Sequence, residues 1–138
     1  EKQNLFSKII NCNSVFELYQ IFNVSVSDYW ETHYNFDKES AKKKKKLSKS
    51  FIDLLVINTI IPLRFAYALS QKKEITQELI DLAVSIPSEK NTIIDKFNTF
   101  GIESKNGYES QSLLQLKKNY CDLKKCLDCA VGHSILKK

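Results

Sequence analysis

Three cysteines crowd into nine residues near the end of this chain: Cys121, Cys126 and Cys129. Their C-x4-C-x2-C spacing matches the first part of the plant-type iron–sulfur pattern, and a C-x2-C pair recurs in zinc sites. A fourth ligand would have to come from Cys12 or His133. Geometry sets the condition for such a site. If residues 119–131 formed one unbroken helix, Cys121 and Cys129 would lie about 12 Å apart along its axis. Thiolates each about 2.3 Å from one zinc ion could not both come from those positions. Either the helix breaks near residues 121–125 and a closed, structural metal site can form, or the cysteine face is covered by another segment. In the second case the thiols are reduced packing residues.

A second feature is electrostatic. Lys42, Lys43, Lys44, Lys45 and Lys46 form one run, with Lys38 and Lys49 on either side. Such a patch can neutralise several phosphates of a nucleic acid. It lacks interleaved aromatics, so base stacking is not implied. The competing reading is a solvated connector, exposed and poorly ordered or at a helix start, without an acidic partner inside the domain.

Catalytic chemistry finds few candidates. His33 and His133 are the only histidines, and no HExxH, G-x-S-x-G or P-loop pattern is present. His33 stands beside Glu31 and Tyr34 and near Trp30, and an aromatic-flanked histidine is favoured as a hydrogen-bonded packing residue. Gly101, Gly107 and Gly132 stand too far apart to cradle a nucleotide phosphate. No residue is therefore assigned a catalytic role.

The elements that must carry these groups follow from composition and periodicity. The 138 residues amount to one domain by length, and 43% hydrophobic with 27% charged is the globular range. With Gly 3 and Pro 2, the tight turns of an all-β sandwich are not available. The 21 basic and 16 acidic residues leave a net charge of +5, which the five-lysine run alone accounts for. The absence of methionine and of a basic, apolar leader leads us to expect a fragment of a larger, cytoplasmic protein.

Apolar spacing then predicts helices almost throughout. Leu5, Phe6, Ile9 and Ile10 share one face, and Ser14 is placed to cap the next helix. Trp30, His33 and Tyr34 share a face if their segment is helical. Residues 51–70 are apolar nearly all round, which suits a central core helix, kinked where Pro62 removes a backbone donor. Asp53, Asn58, Pro62 and Arg64 within it argue against a membrane span. Residues 76–85 form a short amphipathic helix with Leu79, Ile80, Leu82 and Ala83 inside. Ser88 is placed to cap a helix that ends at Gly101, and residues 105–108 turn around Gly107. Leu113, Leu116, Tyr120, Leu123, Leu127 and Ala130 make one long seam, which Gly132 would end. The expected fold is all-α: a compact multi-helix domain over residues 1–138.

Five segments also carry a resemblance. They are DYWETHYNF at 28–36, LLVINTIIPLRFAY at 54–67, PSEKN at 87–91, SQSLLQLK at 110–117 and YCDLKKCLDCAVG at 120–132. Together, in this order, they resemble the C-terminal region of a bacterial family, the domain of unknown function 2851, from about Leu5 to Leu136. The resemblance implies a parent protein with a separate N-terminal region, and no activity, cofactor or catalytic residue. The reading that emerges is a non-catalytic helical accessory or interaction domain. Its partner would be that N-terminal region or another protein chain. Nucleic-acid association through Lys42–Lys46, with zinc or an iron–sulfur group at the cysteines, is the alternative.

Overall fold

Several helix starts in this protein are set by side chains that accept from otherwise free backbone N–H groups. In the computed structural model, which describes residues 4–136, α1 (Leu5–Ile10) begins where the Asn4 side chain accepts from the Ser7 N–H. Ser14 does the same for α2 (Val15–Ile21), accepting from the Glu17 N–H, while the Glu17 carboxylate accepts from the Asn13 N–H. This near-reciprocal arrangement satisfies two orphan donors at one helix end. Ser48 caps α4 (Lys49–Leu55) in the same manner.

Between α2 and α4 the chain departs from an all-α fold. α3 (Asp28–Thr32) stops at His33, whose φ −128° and ψ 137° are extended. β1 (His33–Asn35) and β2 (Lys38–Glu39) then form a two-stranded antiparallel hairpin that pairs His33 with Glu39 and Asn35 with Lys38. Asp37 takes φ 58° in the turn, a conformation that Asp tolerates better than most residues. His33 and Tyr34 therefore do not continue the helical face of Trp30. The fold is mostly helical, with this small hairpin.

The long apolar segment is helical from Lys49 to Ser70: α4, a π-helical turn at Val56–Ile60, and α5 (Ile61–Ser70). Pro62 accounts for the π turn, because its ring displaces the carbonyl four residues earlier and it has no N–H to donate. The Ile61 N–H bonds to the Val56 carbonyl, five residues back. The Asn58 side-chain amide donates to the Leu54 carbonyl at 3.0 Å. Ile52, Val56, Ile60, Arg64 and Ala68 are all buried, a strict spacing of four. In an α-helix a four-residue step drifts about 40°. The wider π turn takes back part of that drift and keeps one stripe pointed inward.

The chain forms two units, Glu1–Leu79 and Ile80–Lys138, with the division inside α6 (Thr76–Val84). In the first, the stripe just described is buried together with Ile9, Cys12, Leu18 and Leu79. In the second, the buried residues include Leu82, Ala83, Ile86, Ile94 and Ser110.

Within the second unit, α7 (Thr92–Thr99) is capped by Asn91 rather than Ser88: the Asn91 carboxamide accepts from both the Ile93 and Ile94 N–H groups at 3.0 Å. Its end is as expected. Gly101 has φ 76°, the Ile102 N–H reaches the Phe97 carbonyl, and the Gly101 N–H reaches that of Asn98. This is a Schellman ending with glycine at the left-handed position. Gly107 is not a turn centre but the first residue of α8 (Gly107–Leu116), whose cap is Asn106. The PSEKN and SQSLLQLK segments meet here. Glu89 accepts from Asn91 and Gln111 with its two carboxylate oxygens, and its N–H donates to the buried Ser110 hydroxyl.

The single long C-terminal helix is not formed. A second π turn, Lys117–Cys121, follows α8, and the chain then turns at Lys124, with φ 54°. The Lys125 N–H bonds to the Tyr120 carbonyl and the Lys124 N–H to that of Cys121, again the Schellman pattern. Lys72 makes the same ending after α5, with φ 53°. Both use lysine where glycine is usual, so neither stop announces itself in the sequence. Leu123 and Leu127 consequently leave the seam, and Leu127 is 77% exposed. The chain closes with α9 (Ala130–Leu136).

Candidate functional site

The largest chemical asymmetry of the first unit is on the Lys49–Ser70 helix. It is 22 residues long and contains an 18-residue window with a mean hydropathy of 1.6, long and apolar enough to cross a membrane by length and composition. Only 28% of its apolar window is buried. The expectation of a helix surrounded by others is therefore corrected: one stripe is buried, and Phe51, Leu54, Leu63, Phe65, Tyr67 and Leu69 are exposed. An isolated exposed leucine is ordinary, but several on one element are a candidate contact surface.

Asp53 and Arg64 within it bond inward, whereas Lys49 at its start is exposed. Arg64, 6% exposed, donates from Nη1 to the Cys12 carbonyl at 2.7 Å, and Nη2 lies 3.7 Å from Glu78 Oε2. Asp53 accepts from the Tyr19 hydroxyl at 2.6 Å, which ties α4 to α2. Burial, then the hydrogen bond and charge of Asp53, push the Tyr19 phenol up to about 12 from its ordinary 10.0. A raised folded-state value means stability present below pH 10 and lost between about pH 10 and 12 as the unfolded phenol ionises first. We expect an ultraviolet titration to show one late phenolate step that Tyr19→Phe removes. A single step at the ordinary value for every tyrosine would contradict this pairing.

The hairpin assembles the aromatic patch. Tyr29 stacks on His33 at 4.0 Å between ring centroids with an interplanar angle of 8°, and meets Trp30 edge-on at 5.0 Å. Phe36 packs on Trp30 at 5.1 Å. His33 Nδ1 lies 2.9 Å from both the Thr32 hydroxyl and the Tyr29 carbonyl. His33 is thus a packing histidine with local hydrogen bonds.

The lysine run is not a free connector. It is an extended strap: the Lys43 N–H bonds to the Glu31 carbonyl at 2.9 Å, and Lys46 bridges to Ser25. Contrary to the expectation of no internal acidic partner, Lys42 Nζ lies 3.3 Å from Glu31 Oε2. Lys45 sits 3.5 Å from the centre of the Tyr34 ring and donates to the His33 carbonyl. Lys43, Lys44 and Lys46 are exposed. The run thus differs residue by residue. Lys45→Gln should lower stability by about 1 kcal/mol through the lost cation–π contact and hydrogen bond. Lys44→Gln should leave the melting temperature within error. Equal effects of the two would show that only net charge matters.

The cysteines meet one condition for a metal site and not the next. The helix does break after Cys121, as a shared site requires. Yet among the described residues no group of three or more His, Cys, Asp and Glu side chains comes together that could hold a metal. Cys121 and Cys126 are exposed, while Cys129 is buried. Cys12 lies in the first unit, buried, and its thiol donates to the Ser14 carbonyl at 3.0 Å; burial pushes that thiol up. His133 lies in α9, where its N–H bonds to the Cys129 carbonyl.

Sequence reasoning missed Arg64 as an anchor and Glu31 as the partner of Lys42. A lone arginine in an apolar helix was the available signal for the first. The second had none, because helix-to-strap pairing is set by the hairpin.

No curated protein and no solved structure matches the chain. A family model, described as Protein of unknown function (DUF2851), matches residues 1–92. That span contains the DYWETHYNF, LLVINTIIPLRFAY and PSEKN segments and stops before the two segments that bear α8 and Cys121, Cys126 and Cys129. With two thirds of its length matched, including the hairpin and the exposed apolar helix, the chain belongs to the DUF2851 family of proteins of unknown function.

Proposed function

We propose that this chain is a non-catalytic helical interaction module that presents the Lys49–Ser70 helix to another protein surface. The observation that carries the reading is that face of exposed large apolar side chains, with Asp53 and Arg64 bonded inward. Covering Phe51, Leu54, Leu63, Phe65 and Leu69 would remove apolar area from water at roughly 25 cal/mol per Å². A bend of the helix axis at Pro62 would shape the docking face into two facets. The partner is the N-terminal region of a longer parent chain or a separate polypeptide. Nucleic-acid binding through the lysine strap is the weaker reading, since Lys42 and Lys45 already have partners.

The test places a photo-crosslinking amino acid at Phe65 in the protein as it is made in its own cell. The expected product is a defined crosslink to polypeptide, within the parent chain or to one other protein. The same group at Glu103 should give none. Crosslinks to lipid, or none from Phe65, would overturn the reading.

A further inference from the structure

Cys126 and Cys129 stand three residues apart, with a turn at Leu127 and Asp128 between them. A turn brings the Cα atoms of its first and last residues within about 7 Å, and a disulfide spans about 4.4–6.8 Å between Cα atoms. A second contact holds the pair from the other side. Cys129 directly precedes α9, where its carbonyl accepts from the His133 N–H, and Gly132 lies in the first turn of that helix. The Cys126 backbone rests on Gly132, its Cα 2.9 Å from where a Cβ on that glycine would stand. Cys126 is thus tied to the start of α9 twice, through the turn and through Gly132. The two thiols differ in access: Cys126 is exposed, whereas Cys129 is only 7% exposed. Cys121 borders a different surface, a recess lined by Ile93, Phe97 and Phe100, and the chain reversal at Lys124 separates it from the pair.

We propose that Cys126 and Cys129 form a redox-active dithiol that exchanges with low-molecular-weight disulfides such as oxidised glutathione. The Cys126 thiol gives its proton to solvent, and its sulfur attacks one sulfur of the glutathione disulfide. That S–S bond breaks, a mixed disulfide forms at Cys126, and one glutathione thiolate leaves and takes up a proton. Cys129 then loses its proton and attacks the Cys126 sulfur, which closes the intramolecular disulfide and releases the second glutathione. Two protein thiols are oxidised, and one glutathione disulfide is reduced to two thiols. Access fixes the order, because an external disulfide reaches the exposed sulfur and the buried one resolves it. The site belongs to the second unit and stands independently of the docking face of the first.

The test equilibrates the intact chain with reduced and oxidised glutathione, quenches with acid, alkylates the remaining thiols and digests with trypsin. Cleavage after Lys124 and Lys125 leaves Cys126 and Cys129 in one peptide and Cys121 in another. The expected product is a disulfide confined to the first peptide, with Cys12 and Cys121 still alkylated. At fixed reduced glutathione, half-oxidation should need at least about tenfold less oxidised glutathione than in the same chain held in denaturant, because the fold has already closed the loop. Cys129→Ser should trap glutathione on Cys126, raising the mixed disulfide by at least about tenfold over the unsubstituted protein. Cys126→Ser, at an exposed position, should leave Cys129 unmodified. A disulfide joining Cys121 to either cysteine, a mixed disulfide that persists on Cys126 with Cys129 present, or the same midpoint in denaturant would overturn the proposal. So would a pair that stays reduced across the series, or glutathione entering at Cys129 in the Cys126→Ser variant.

Discussion

Replacing Arg64 by alanine should cost about 3 kcal/mol of stability. The guanidinium is buried and is the donor that satisfies the Cys12 carbonyl, itself on a residue 1% exposed. Removing the donor leaves that oxygen without its charge-assisted bond, at about 1–3 kcal/mol, and removing the stem leaves a hole in the packing. Glu78 contributes little, because its side chain is 64% exposed and a pair so screened is worth less than about 1 kcal/mol. The series is therefore ordered. Arg64→Met refills the volume and should cost about 1–2 kcal/mol, and Glu78→Gln should be nearly silent. The methionine variant has one compensation: among the described residues Arg64 Nε has no hydrogen-bond partner, so burying the guanidinium carries a penalty that Met does not. Chemical denaturation of the three variants checks the order. If Glu78→Gln costs as much as Arg64→Ala, the ion pair and not the carbonyl contact is the anchor.

A second large effect is expected at Gly132, and its sign is diagnostic. Gly132 lies inside α9, not at a helix end as its residue type suggested. A Cβ built there would stand 2.4 Å from the Cys126 carbonyl oxygen and 2.9 Å from its Cα. Both are backbone atoms, so no side-chain rotation relieves the overlap. On helix propensity alone Gly132→Ala would stabilise by about 1 kcal/mol. Overpacking against backbone costs about 1–3 kcal/mol and reverses that sign. The expected outcome is a net loss of about 1–2 kcal/mol, with faster amide exchange in α9 than in α8. Stabilisation by alanine would mean that α9 does not pack on the 126 backbone. The same contact explains why the YC-x4-C-x2-C-x2-G segment ends in glycine without invoking a metal: Gly132 lets the turn bearing Cys126 approach the helix that follows.

Where side-chain chemistry acts within one turn of the backbone, the sequence alone was sufficient at some positions, though it put the cap of α7 at Ser88 where Asn91 provides it. Ser14 as a cap, Gly101 as a stop and the mostly helical class were legible, because caps, left-handed glycines and apolar periods are local signals, while the family was legible only through the resemblance of whole segments. Two kinds of feature were not. Endings that use lysine in the left-handed conformation, at Lys72 and Lys124, carry no residue-type signal, so the seam through Leu123 and Leu127 read as one helix. Contacts between segments distant in the chain were also invisible. The pairing of Lys42 with Glu31 depends on the hairpin between them, and the meeting of Arg64 with Cys12 spans 52 positions. Periodicity showed that residues 51–70 are apolar all round, but not how much of that surface is covered. Coverage is a property of neighbours rather than of the helix itself, and only tertiary packing, with Pro62 and its π turn holding one stripe inward, decided which side chains remain exposed.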